Sequence, residues 1–139
     1  MAMHTWFECK IRYEKVMENG MQKKVTEPYL VDALSFTEAE ARIIEEMTPF
    51  ISGEFTVSDI KRANYSELFP SDEESADRWF KCKLIFITLD EKSGAEKKTS
   101  TQVLVQAADL RDAVKKLDEG MKGTMADYQI GMVSETPLM

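Results

Sequence analysis

Trp6-Phe7-Glu8-Cys9-Lys10-Ile11 returns later in the chain as Trp79-Phe80-Lys81-Cys82-Lys83-Leu84. A recurrence of this kind constrains the architecture before any local reading does. The match continues outward. Lys23-Lys24 recurs as Lys97-Lys98, and Tyr29-Leu30-Val31-Asp32-Ala33 as Val103-Leu104-Val105-Gln106-Ala107. Phe36, Ala39, Ile43 and Met47 then match Leu110, Ala113, Leu117 and Met121. The spacing grows by one residue after the first block, which a difference in hairpin length accounts for. The exit of each half also matches: Asp59 and Ser66-Glu67 correspond to Asp127 and Ser134-Glu135.

Each half reads as strand, hairpin, strand, helix, strand. Phe7, Cys9, Ile11 and Tyr13 alternate with Trp6, Glu8, Lys10 and Arg12, the period of a half-buried strand, here over residues 5–17. Asn19-Gly20 marks the turn, because both residues tolerate positive φ. The second strand covers residues 22–34, with Pro28 marking an edge position or a bulge. Ser35 and Glu38 form a capping box, and Phe36, Ala39, Ile43 and Met47 make one apolar helical stripe. Pro49 and Gly53 end the helix, and a third strand runs over residues 54–62. The second half repeats the order: strands at 78–89 and 97–107, a helix capped by Asp109, and a strand at 127–133.

The organisation expected is a first β-β-α-β repeat at residues 1–69, an acidic linker at 70–77 and a second repeat at 78–139. One copy alone would bury the open face of its strands poorly. The expected fold is therefore α+β: an internally duplicated unit giving about six mainly antiparallel strands, with two helices on one face of a sheet shared about a pseudo-two-fold. Parallel pairing of the third or sixth strand is open at this level.

The chain has 139 residues, 43% of them hydrophobic, enough for a real core. No apolar run approaches the roughly 18 residues of a membrane span, and residues 1–10 lack the basic-then-apolar layout of a secretory signal. Met1-Ala2-Met3 is compatible with a start at Met3. The two cysteines occupy equivalent strand positions and read as buried free thiols, which fits a cytoplasmic, reducing compartment. Net charge is -7, which on average repels nucleic acid. The charge is uneven: residues 1–77 hold 8 basic and 16 acidic side chains, residues 78–139 hold 10 and 9.

Several chemistries lack their residues. His4 is the only histidine, no CxxC pair occurs, and no Gly-rich phosphate loop or nucleophile elbow is present. No catalytic residue, cofactor or metal site is expected. Glu27, Asp32, Glu38 and Glu40 cluster near a helix start, where capping and the helix dipole account for them. Glu27-Pro28-Tyr29 departs from the repeat and marks either a special site or a strand-edge irregularity.

The face of the strands turned away from the helices is the candidate functional surface. It would carry Trp6, Lys10, Arg12, Trp79, Lys81 and Lys83, with Glu8, Ile85 and Ile87; Lys23, Lys24, Lys97, Lys98, Lys61 and Arg62 could extend it. Aromatic rings that stack bases, beside cations that follow phosphates, suit single-stranded nucleic acid. The alternative is that the tryptophans cap a core or an interface, since an apolar sheet face is commonly covered by a partner.

Trp6-Phe7-Glu8-Cys9-Lys10, residues 25–33, Ser35-Phe36-Thr37-Glu38-Ala39-Glu40 and Arg78-Trp79-Phe80-Lys81 resemble a small uncharacterised domain family of Bacteroidetes bacteria and their phages. The resemblance covers most of the chain and brings no activity or catalytic residue. It implies a bacterial or phage cytoplasmic setting. The expectation is a non-enzymatic binding protein, a homodimer, contacting single-stranded nucleic acid as a phage or mobile-element accessory. The alternatives are a protein-interaction or host-inhibitor module acting on a host protein, motivated by the acidic first half, and a small-ligand binder at the pseudo-two-fold cleft.

Overall fold

Apolar and polar residues alternate through Trp6–Val16, and in the computed structural model this stretch is a strand, β1, with Phe7, Cys9 and Ile11 fully buried. The structure describes residues 5–123 and 127–139; His4 and Met1-Ala2-Met3 lie outside them. The remaining elements are β2 (Gln22–Asp32), α1 (Phe36–Met47), β3 (Phe55–Ala63), β4 (Glu67–Phe69), β5 (Arg78–Leu89), β6 (Glu96–Ala107), α2 (Leu110–Gly120) and β7 (Asp127–Glu135). The fold is α+β, with seven strands in two mainly antiparallel sheets and two helices.

The chain forms two compact units. The first runs to Asn64 and takes in Pro137–Met139; the second is Tyr65–Thr136. The first holds a three-stranded sheet in the order β2-β1-β3, the second a four-stranded sheet in the order β4-β6-β5-β7. The single shared sheet expected from the sequence is thus replaced by two, each with its own helix. Two strand edges carry partners that the repeat does not anticipate. Met139 N–H donates to the Pro28 carbonyl on the outer edge of β2 (3.0 Å), and β4 runs parallel to β6 on the other side from β5.

The two hairpins differ by one residue at their tips. Met17 N–H donates to Met21 O (2.8 Å) around residues 18–20, whereas Asp90 N–H donates to Ala95 O (2.9 Å) around residues 91–94. That difference accounts for the one-residue change in spacing. Gly20 and Gly94 take positive φ (81° and 70°), while Asn19 does not, so the first turn is a three-residue loop closed by a left-handed glycine rather than a two-residue Asn-Gly turn.

Proline in β2 costs no ladder bond. The bonded Met17/Met21 pair, and the bond from Ala33 N–H to Thr5 O (3.1 Å), set odd-numbered residues of β2 toward β1. Pro28 therefore faces the outer edge, where a missing N–H leaves no partner unsatisfied.

Both central strands meet their third strand with a bulge at the same place. Lys10 lies opposite Asp59 and Ile11 opposite Val57, so Ser58 is the extra residue; Lys83 lies opposite Met132 and Leu84 opposite Ile130, so Gly131 is. The registers align Val57 with Ile130 and Ile60 with Val133. The match of Asp59 with Asp127, and of Ser66-Glu67 with Ser134-Glu135, is a sequence echo that the strands do not follow. Apolar packing sets the register, and Asp59 and Asp127 are both exposed.

Ser35 Oγ accepts from Glu38 N–H (3.1 Å), and Asp109 Oδ1 from Asp112 N–H (2.8 Å). The return bond of each cap goes one residue further back than a standard capping box: Leu34 N–H donates to Glu38 (3.4 Å) and Ala108 N–H to Asp112 (3.0 Å). Ala39, Ile43 and Met47 of α1 pack on Phe7, Cys9 and Ile11, and Phe36 meets Phe7 edge-on at 4.9 Å between centroids. In the second unit Leu117 and Met121 pack with Cys82, Leu84, Val103 and Val105.

Glu67–Phe69, read from sequence as the end of the first half, belongs to the second sheet as β4. The Phe69 ring lies against Gly120, where an added Cβ would sit 2.8 Å from Cε1. The acidic stretch 70–77 is not a free tether. Ser71 N–H donates to Gln106 Oε1 (2.9 Å), and Lys116 Nζ reaches Ser71 Oγ (3.0 Å), Glu73 (3.1 Å) and Asp112 (3.0 Å). Burial alone would lower the Lys116 pKa, but its bonds to Asp112 and Glu73 outweigh this and raise it. The bond from Ala108 and then that from Lys116 lower Asp112.

Candidate functional site

Strand alternation settles the facing of the tryptophans and cations. Phe7, Cys9 and Ile11 point to α1, so Trp6, Lys10 and Arg12 share the opposite face of the first sheet. Trp79, Lys81 and Lys83 share the face of the second sheet away from α2. The two sets lie in separate units. Both tryptophans are half-buried, as are Lys10, Lys81 and Lys83, while Arg12 is exposed.

The two faces differ in charge. In the first, Lys10 sits between Pro28 and Asp59, Trp6 between Asp32 and Ala63, and Glu8 is bonded to Lys61 (3.0 Å). Acid and base there are interleaved. In the second, Lys81 sits between Leu104 and Ser134, and Lys83 between Gln102 and Met132. No carboxylate stands across from either lysine, and neither makes an ion pair among the described residues. Leu104 is fully buried on this face, Trp79, Lys81 and Lys83 are partly exposed around it, and Lys98, Ser100, Gln129 and Met132 are exposed.

Not every residue proposed to extend the surface does so. Arg62 has the opposite facing and lies over the Phe7 and Phe36 rings, 5.9 and 5.8 Å from their centroids. Lys24 and Lys98 fall on the candidate faces. Lys23 and Lys97 have helix-side parity, opposite Lys15 and Thr88.

The family model for Domain of unknown function DUF4494 matches residues 5–139. The chain belongs to this family. No curated protein and no solved structure matches it. Among the described residues of this DUF4494 chain, no helix is long and apolar enough to cross a membrane, and no group of three or more His, Cys, Asp or Glu is placed to hold a metal ion.

The departure at Glu27-Pro28-Tyr29 has a structural basis. Glu27 Oε1 accepts from the Tyr13 hydroxyl (2.8 Å) and the Tyr29 hydroxyl (3.1 Å), and Lys15 Nζ lies 3.5 Å from Oε2. The carboxylate is nearly buried, and this set satisfies it. Burial and then Glu27 push Tyr13 up to about 12; burial and the same carboxylate push Tyr29 to about 12. Cys9 and Cys82 are free and fully buried, and burial pushes both to about 11. Neither is a nucleophile near neutral pH.

The end of β1 carries a feature that no motif in the sequence marks. β1 continues to Val16, but its pairing with β3 stops at Tyr13 opposite Phe55. A cleft of about 930 Å³ opens there, lined by all of residues 12–16, by Gln22 and Lys24, and by residues 50–56. Its rim carries Val16 and Phe50, which are 64% and 82% exposed. The signal available was the shortness of the apolar pattern after Gly53 compared with that of β1.

Proposed function

We propose that this protein is a non-enzymatic binding protein that holds single-stranded nucleic acid on the open face of its second sheet. The observation that carries this reading is the placement of Lys81 and Lys83 beside Trp79 with no carboxylate across the ladder from them. Lysines not neutralised by neighbours are free to follow phosphates, and the indole offers a stacking surface. Gln102 and Gln129 add amide groups that hydrogen-bond bases without charge. The first sheet, whose cations face Asp59 and whose Glu8 is bonded to Lys61, contributes less to this reading. A bacterial or phage cytoplasmic setting, with a role as a phage or mobile-element accessory, is part of the proposal; the sequence resemblance and the two reduced, buried thiols support it.

The reading also treats the two units as copies of one β-β-α-β unit. Matching central-strand order, helix caps and bulge positions support this.

Fluorescence anisotropy with labelled oligonucleotides at low salt tests the function. Binding at micromolar protein is expected, weakening with added salt. Replacing both Lys81 and Lys83 by Ala should flatten the salt slope by about 1.4, at about 0.7 per phosphate contact on single strands. Lys10→Ala with Arg12→Ala should change it less. Absence of binding, or affinity indifferent to salt, defeats the proposal.

A further inference from the structure

Asn19-Gly20 is the one place in the sequence where glycine follows asparagine. The pair closes the first hairpin, where both residues are exposed and Gly20 takes a φ of 81°. With no side chain of its own, glycine leaves its amide nitrogen open to approach. A Cβ built on Gly20 would meet nothing within 4 Å, so no neighbour shields the position. The Asn19 side chain is held in place. Its Oδ1 accepts from Met21 N–H (3.0 Å), whereas its Nδ2 makes no hydrogen bond among the described residues. This arrangement suits attack by the Gly20 nitrogen on Asn19 Cγ. Negative charge then develops on Oδ1, where Met21 N–H already donates, as an oxyanion donor does. The leaving group, Nδ2, is open to water.

We propose that Asn19 is a site of self-modification, converted through a cyclic imide with Gly20 into aspartate and isoaspartate. Gly20 N loses its proton to hydroxide and bonds to Asn19 Cγ. The bond from Cγ to Nδ2 breaks, and Nδ2 takes a proton from water and leaves as ammonia. Water then opens the imide. Addition at Cγ restores the ordinary main chain with aspartate at position 19; addition at the main-chain carbonyl carries the chain on through Cγ. Gly20 N–H donates to Met17 O (2.9 Å), and that bond opens before the nitrogen attacks. The turn therefore converts more slowly than the same residues in a free peptide, at a rate set by fraying of the hairpin tip. Either product adds a negative charge to an arm on which Arg12, Lys15, Lys23 and Lys24 outnumber Glu14 and Glu18. The iso product also lengthens the main chain of the loop by a methylene.

The test is to age the full chain in mildly alkaline buffer and follow its tryptic peptide Val16–Lys23 by chromatography and mass analysis, beside the same peptide made synthetically. Two new forms are expected from the folded chain. One should elute with the peptide from an Asn19→Asp variant, and the other with an isoaspartyl standard. The rate should rise about tenfold per unit of pH, since the attacking nitrogen is the deprotonated amide. Asn64, also exposed but followed by Tyr65, is the internal control and should stay unchanged over the same interval. An intact Val16–Lys23 peptide after its free counterpart has fully converted, conversion of Asn64 at the same rate, or a rate indifferent to pH would each overturn the proposal.

Discussion

Ser58 in β3 and Gly131 in β7 occupy the same place in their sheets: each is the extra residue where a central strand meets its third strand. Val57 and Ile60 are three residues apart and both pack against the first core; Ile130 and Val133 do the same in the second. In a regular strand such a spacing would put one of each pair in water. The bulge keeps both inside.

Deleting Ser58 should therefore be mild. It leaves Val57 and Ile60 two apart and still on one face, so the unit should unfold cooperatively with a loss of about 1 kcal/mol. Deleting Glu8 from β1, where no extra residue absorbs the change, should turn Phe7 or Cys9 outward and abolish the fold of the first unit. Circular dichroism melts distinguish the two. Equal damage from both would show that the bulge is not what sets the register.

Ile43→Ala and Leu117→Ala remove equivalent, fully buried side chains from α1 and α2. Each should cost about 2–5 kcal/mol in denaturant unfolding, by lost burial and the cavity left behind. Amide exchange should locate the first loss in β1–β3 and the second in β5–β7.

Alkali should destabilise the first unit through its tyrosines. Tyr13 and Tyr29 have folded values near 12 against an ordinary 10, so the folded chain holds these protons more tightly. The stabilisation is complete below about pH 10 and is lost as pH rises through 12. Cys9 and Cys82, raised from 9 to about 11, add a loss beginning at about pH 9. Replacing both tyrosines by Phe should remove the first unit's share of the upper window, leaving that of Tyr128, which burial and Asp118 raise in the second unit. Phenolate absorbance read together with unfolding checks this; titration of either tyrosine at the ordinary value in the folded protein would contradict it.

Lys116 holds the stretch 70–77 through Ser71 and Glu73 while bonding Asp112 on its own helix. Lys116→Met should raise the rate of proteolytic cutting in that stretch several-fold while the helix cap from Asp109 keeps α2 intact. Limited proteolysis followed by mass analysis gives the cut sites. Unchanged cutting would mean that the bond from Ser71 to Gln106 suffices.

The elements themselves were legible in the sequence because local signals agreed. Alternation marked β1 and β5, left-handed glycines closed the hairpins, and Ser35 and Asp109 capped the helices close to where the structure caps them. Period alone put Trp6, Lys10, Arg12, Trp79, Lys81 and Lys83 on the faces away from the helices, but Lys23 and Lys97, offered as extensions of that surface, lie on the helix side. What was not legible depended on edges. A three-residue strand such as β4 has no periodicity to read, and its parallel pairing with β6 is fixed by Phe69 seating on Gly120. The pairing of β4 with β6 and the bond from Met139 to Pro28 leave no mark in composition. Of the adjacent Lys61 and Arg62 only one can share the candidate face, and the bulge at Ser58 makes it Lys61. Tyr13 and Tyr29 around Glu27 were signalled only as a break in the repeat.

Met139 reaches Pro28 only after the intervening second unit has been threaded through the chain. A ribosome delivers the residues that finish the β2 border after Tyr65–Thr136, so that border stays bare through synthesis of that whole stretch. A nascent chain is thus exposed to strand-to-strand misjoining for that interval, and proline at position 28, which offers no donor to an intruding strand, guards the gap until the tail arrives.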